Sequence, residues 1–180
     1  MRRAFTFSFL LFGIVVSTCL SAQQQGAKPQ QAAPAAAGDP MFPIRWMTGT
    51  WTSQVMPPNA QKPITVEQKF TMVLNGRVLA FTTSFDGTMQ YQGLFAYDAA
   101  QKAIVCWYPS ADGELTRGTL TPQQDSLLFD FEVTDAAGKV TPYQVRIHQT
   151  GGDGYDWTLF DKDGSGWKQL TALHYKRTAE

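Results

Sequence analysis

The chain has 180 residues and carries 15 Lys and Arg against 15 Asp and Glu. No basic run or nucleic-acid-binding motif accompanies that balance, so nucleic acid is not an expected partner. Only two cysteines are present, and the first falls in a leader segment; the second, Cys106, therefore has no intramolecular disulfide partner.

The leader comes first along the chain. Arg2 and Arg3 precede an apolar run over Phe5–Val16, and small and polar residues follow. This is the layout of a secretory signal peptide, and the run is too short to span a membrane. Residues 1–22 are read as that peptide, with cleavage after Ala22 and Ser21 as the second candidate. Lipid anchoring through Cys19 is the weaker alternative, because Thr18 is large for the position before a lipoprotein cysteine. Export leaves a secreted or periplasmic chain with no membrane-spanning segment. Its balance is 13 Lys and Arg against 15 Asp and Glu, since Arg2 and Arg3 are lost from 15.

Residues 23–40, "QQQGAKPQQAAPAAAGDP", hold almost no large apolar side chain and read as a disordered linker. Residues 41–180 form one domain by length. After a short helical turn over Phe42–Met47, the pattern is all-β. The strands are expected over Thr50–Met56, Ile64–Leu74, Arg77–Phe85, Thr88–Asp98 and Ala103–Ser110. Five more follow, over Glu114–Thr121, Ser126–Val133, Val140–Gln149, Asp156–Phe160 and Trp167–Arg177. Asn75-Gly76 and Asp86-Gly87 are strong hairpin signals. Hairpin-length connections imply antiparallel neighbours, and ten such strands favour closure into an up-and-down barrel.

Alternation names the inner wall. Val66, Phe70 and Met72 share a face, as do Leu79, Phe81 and Phe85. Met89, Tyr91, Phe95 and Tyr97 share another. Phe129 and Phe131 lie opposite Asp130 and Glu132, which are read as outward charge. A barrel of this strand number has room for a cavity, although its aromatic residues could also simply fill it. Cys106 reads as a small buried residue of a strand.

Other constellations are weak. "DKDGSG" at Asp161–Gly166 imitates half of a calcium loop, but the position of its bidentate glutamate is Ala172, and a β-turn explains the residues better. There is no nucleophile elbow, zinc-spaced histidine pair, P-loop or dinucleotide fingerprint. No catalytic, metal or cofactor residue is therefore assigned, and the chain is read as not an enzyme.

"WMTGTWTS", around Trp51, resembles the Gly-x-Trp start of the first strand in calycins, the superfamily of lipocalins, fatty-acid-binding proteins and nitrobindin-like barrels. There the Trp packs across the barrel base, so the resemblance gives Trp51 a closing, structural role. "NGRVLAFTTSF", "YQGLFAYDAAQKAIVCWYPSADGELTRGTL" and "GWKQLTALHYKR" are similar in order and spacing to a family of bacterial domains of unknown function with a calycin-like barrel. The likeness covers Ile44–Arg177. Nitrobindins hold haem through a last-strand histidine; the matching position here is Gln169. His148 and His174 fall on outward faces, so no cofactor is expected. Some fatty-acid carriers of the superfamily bind the ligand carboxylate with an inward arginine, and Arg117 is the candidate for that role, with the barrel rim as the equal alternative.

The expected function is binding of a small apolar molecule inside the barrel. The candidate contacts are Phe70, Phe81, Tyr91, Phe95, Phe129 and Trp157, with Arg117 and Gln169 as polar candidates. The alternatives are a filled barrel acting as an envelope interaction module and an enzyme on this scaffold. Pairing of two copies through the outer face stays open.

Overall fold

The computed structural model describes residues 38–57 and 61–178. The signal segment, Cys19 and the linker up to residue 37 lie outside the described residues. A short 3-10 helix over Phe42–Met47 is followed by β1 (Gly49–Val55), β2 (Ile64–Val73), β3 (Val78–Phe85), β4 (Thr88–Asp98) and β5 (Ala103–Pro109). Then come β6 (Leu115–Pro122), β7 (Ser126–Thr134), β8 (Val140–Gln149), β9 (Gly154–Asp163) and β10 (Gly166–Arg177). Each strand pairs antiparallel with its chain neighbour, and β1 also pairs with β10. The sheet is a closed up-and-down barrel of ten strands, which leaves no unpaired edge. Among the described residues, no helix is long and apolar enough to cross a membrane.

The turns follow their chemistry. Asp86 and Gly87 alone join β3 to β4, both at positive φ, as a tight hairpin requires. The Asn75-Gly76 turn is wider than its dipeptide signal suggests. Val73 pairs with Val78, so Leu74 and Arg77 join the loop. β9 runs longer at both ends than expected and takes in Asp161 to Asp163, so Gly164 and Ser165 make the turn. Among the described residues, no group of three or more metal-ligating side chains converges there or elsewhere.

One end of the barrel is plugged. The 3-10 helix buries Ile44 and Met47, with Met41 just before it, against Trp51. Trp51 is fully buried, and its indole N–H donates to the Met47 carbonyl at 2.6 Å. The Arg177 guanidinium lies 4.0 Å from the Trp51 ring centroid and donates to the carbonyls of Thr48 (2.5 Å) and Trp46 (2.9 Å). Gly49, at φ 122°, gives that guanidinium room, since a Cβ there would collide with it. Asp39 belongs by composition to the linker, yet it is held here: its carboxylate accepts from the Met41 N–H at 3.0 Å and from Arg45 Nε at 2.5 Å.

Four inferred orientations are corrected, three of them by β-bulges. In β4, Tyr91 pairs with Thr83 and Met89 with Ser84, so Gln90 is an extra residue. It inverts the alternation, and Met89, expected inside, is 53% exposed. In β10, Gln169 pairs with Phe160 and Thr171 with Leu159, which makes Leu170 the extra residue. Gln169 is thereby turned outward. Lys168, six residues before His174 and so outward by an unbroken alternation, shares a face with its partner Asp161 and so with Tyr143 on the inner side. Arg117 is the fourth case. It is exposed, paired with Trp107 and Glu132 on the outer wall, while Thr116, Gly118 and Leu120 face inward.

Candidate functional site

Between the plug and the other end lies a cavity of about 460 Å³, within the range of roughly 300–1,000 Å³ usual for small-molecule sites. Its wall is built from inward positions of all ten strands, with β1, β5 and β6 contributing one residue each, Val55, Tyr108 and Thr116. Rings run continuously around one side: Phe70–Phe81 (5.8 Å between centroids), Phe81–Phe95 (5.4 Å), Phe95–Phe129 (5.9 Å), Phe129–Phe131 (4.5 Å) and Phe131–Tyr143 (5.7 Å). This follows from placing one or two aromatic residues on the inner face of each of β2, β3, β4, β7 and β8. Gly93 is needed in that girdle, because Phe81 and Tyr108 occupy the space where its Cβ would stand. The opposite side is aliphatic apart from Trp157, Tyr155 and Tyr175, with Val145, Ile147, Leu159 and Leu173.

A small polar strip interrupts the wall near the plug. The Tyr155 hydroxyl donates to Gln68 Oε1 at 2.5 Å, and Gln68 Nε2 donates to Thr83 Oγ1 at 3.4 Å. Donation runs one way along this strip, so the Thr83 hydroxyl proton is left for an acceptor in the cavity. Burial pushes the Tyr155 phenol well up, reinforced by neighbouring Tyr175, and pushes Tyr108 up as well. These phenols stay neutral and act as hydrogen-bond groups, not as bases. At the mouth the ionisable lining residue is Glu114. Its turn is fixed by two bonds with Ser110, one from the Ser110 N–H to the Glu114 carbonyl (2.9 Å) and one from the Glu114 N–H to the Ser110 hydroxyl (3.1 Å).

The sequence candidates divide as follows. Phe70, Phe81, Tyr91, Phe95, Phe129 and Trp157 all line the cavity, and Trp51 lies beneath it in the plug. Arg117 and Gln169 do not line it, for the reasons of register given above. Gln68, Thr83, Tyr155 and Glu114 were missed. Gln68 stands two residues from both Val66 and Phe70, so the pleat already put it inside. Tyr155 fell beyond the inferred start of β9, and Glu114 carried no signal of its own. Asp130 lies on the outer face and accepts from Gln144 at 2.7 Å. Cys106 is buried, which pushes its thiol well up.

Among the described residues lining the cavity there is no lysine, arginine, histidine or cysteine. His148 bonds the Asp125 carbonyl (2.8 Å) and His174 the Asp156 carboxylate (2.7 Å), both in exposed positions. The residues present do not fit a histidine-held haem.

No family model and no curated protein matches the chain. Among solved structures, it is similar to the crystal structure of Rv2717c from M. tuberculosis. The identity is 15% and the TM-score 0.53, over 78% of this chain and 98% of that one. At that identity the likeness concerns the barrel alone and says nothing of what either cavity holds.

Proposed function

We propose that this protein binds a small, mainly apolar molecule inside its barrel, as a carrier or receptor of the extracytoplasmic space. The cavity of about 460 Å³, plugged at one end and walled by aromatic and aliphatic side chains, is the observation that carries this reading. Burial of the ligand's apolar surface supplies the affinity, at roughly 25 cal/mol per Å² before ordering costs. The Thr83 hydroxyl offers one hydrogen bond to orient it. The leader segment supports the location.

Native mass spectrometry of protein purified from its own host tests the proposal. A reproducible co-purifying small molecule is expected. Its loss on Val145→Phe, a substitution that fills the void without opening the wall, places the molecule inside. Protein that arrives empty and whose melting temperature does not move across a lipid panel would exclude the carrier reading.

A second reading has one observation in its favour. Trp107 and Trp167 are 45% and 41% exposed and lie along one groove of the outer wall with Pro142. Such a surface suits contact with another protein or a second copy. Sedimentation over a range of concentrations, with Trp107→Ala as control, separates the two readings.

A further inference from the structure

Among the described residues lining the cavity there is one carboxylic side chain and no lysine, arginine or histidine. Glu114 is that carboxylic side chain, and Arg117, the residue that would have met a ligand carboxylate, lies outside. Glu114 stands among rings. Tyr91 and Tyr108 lie with centroids 5.7 Å apart, Phe81 is 5.4 Å from Tyr108, and Phe85 is 6.1 Å from Tyr91, all edge to face. Its charge is felt there. The Tyr91 phenol is pushed up first by burial, then by Glu114 and Asp112. A second carboxylate lies on the inward face of β9 near the same end: Asp161, whose Oδ1 is shielded from water and has no hydrogen-bond partner among the described residues. Lys168 stands opposite Asp161 in register, is exposed, and makes no ion pair with it.

A carboxylate set among ring faces attracts a cation that has shed its water, and repels an anion. Resting on the carrier reading above, we infer that the cavity selects molecules bearing a protonated or quaternary amine on an apolar body over the carboxylate of the same body. The apolar part lies against the phenylalanine girdle and the ammonium at Glu114. A neutral alcohol of the same length binds by burial alone and ranks between the two.

Three ligands of one chain length test this: dodecyltrimethylammonium, dodecanol and dodecanoate, each well below its micelle concentration in low-salt buffer. Binding is read by tryptophan fluorescence, to which Trp157 in the wall contributes, and by melting temperature. The ammonium is expected to bind at least about tenfold more tightly than the carboxylate. Glu114→Gln is expected to bring that ratio down severalfold, with the β-sheet circular dichroism signal reporting that the variant is folded. Asp161→Asn is expected to lower the ratio by a smaller factor. If dodecanol binds but dodecanoate binds as tightly as the ammonium, the charge selectivity is wrong while the carrier reading stands. A ratio unmoved by Glu114→Gln also overturns the inference. If none of the three binds, both fall together.

Discussion

Arg177 does three things at one point. It covers the Trp51 ring, it satisfies the Thr48 and Trp46 carbonyls, and it fills the space that Gly49 leaves open. Hydrogen bonds from a charged donor contribute about 1.5–3 kcal/mol each where partly buried, and a cation over an indole about 1 kcal/mol. Arg177→Ala is therefore expected to cost about 2–3 kcal/mol in urea unfolding, less than the simple sum because the site is partly exposed. Arg177→Lys is expected to recover only part of it, since an ammonium cannot hold two carbonyls in a planar fork and stack on the ring together. A cost under about 0.5 kcal/mol for Arg177→Ala would mean that Trp51 and the 3-10 helix hold the plug unaided.

At the scale of the strand, most of the fold was legible. Period-2 alternation and the Asx-Gly turns located all ten strands, because each strand has one buried face and few residues in its turns. The failures in β4 and β10 share a cause. An extra residue inverts every assignment beyond it, and nothing in the local composition marks Gln90 or Leu170 as that residue. β6 failed for another reason. Its inward positions are Thr116, Gly118 and Leu120, and the Asp130 carbonyl, the Phe131 Cβ and the Phe129 ring fill the space over Gly118, so the strand has no apolar rhythm of its own. Nothing in it could then decide between the inward and rim readings of Arg117, which faces outward. The aromatic half of the site was legible from the same alternation, whereas its polar members and its volume depend on distances across the barrel. Single cysteines in a Cys106→Ser background test the bulges. Met89→Cys and Gln169→Cys are expected to react with a bulky maleimide at rates near those of an unfolded peptide, and Thr171→Cys many times more slowly. Equal rates at Gln169→Cys and Thr171→Cys would argue against the bulge in β10.

At the scale of the molecule, phenols set the alkaline limit of stability. Burial raises Tyr108, Tyr155 and Tyr175, and Tyr91 is raised as well. An unfolded chain releases phenol protons near pH 10, while these four keep theirs in the fold. The unfolded state thus binds fewer protons as pH rises, and stability falls with pH above that point. Their contribution is complete below about pH 10 and is lost above it. Ultraviolet titration is expected to show these four ionising together in one steep step that coincides with loss of the β-sheet circular dichroism signal. Gradual ionisation near pH 10 in a chain that keeps that signal would mean that water reaches the barrel interior.

The join between β1 and β10 has a consequence in time. Arg177 reaches the Thr48 carbonyl across 129 residues of sequence, and β1 meets β10 through only two register pairs, Trp51 with Arg177 and Thr52 with Lys176. No chain that stops short of β10 can make this closure, so the first strand finds its second neighbour only after β10 has left the ribosome. Until then the nascent molecule is an open ribbon with two bare edges, dependent on whatever shields it. A stop codon before Lys176 would remove both closing pairs and leave the ribbon open for good.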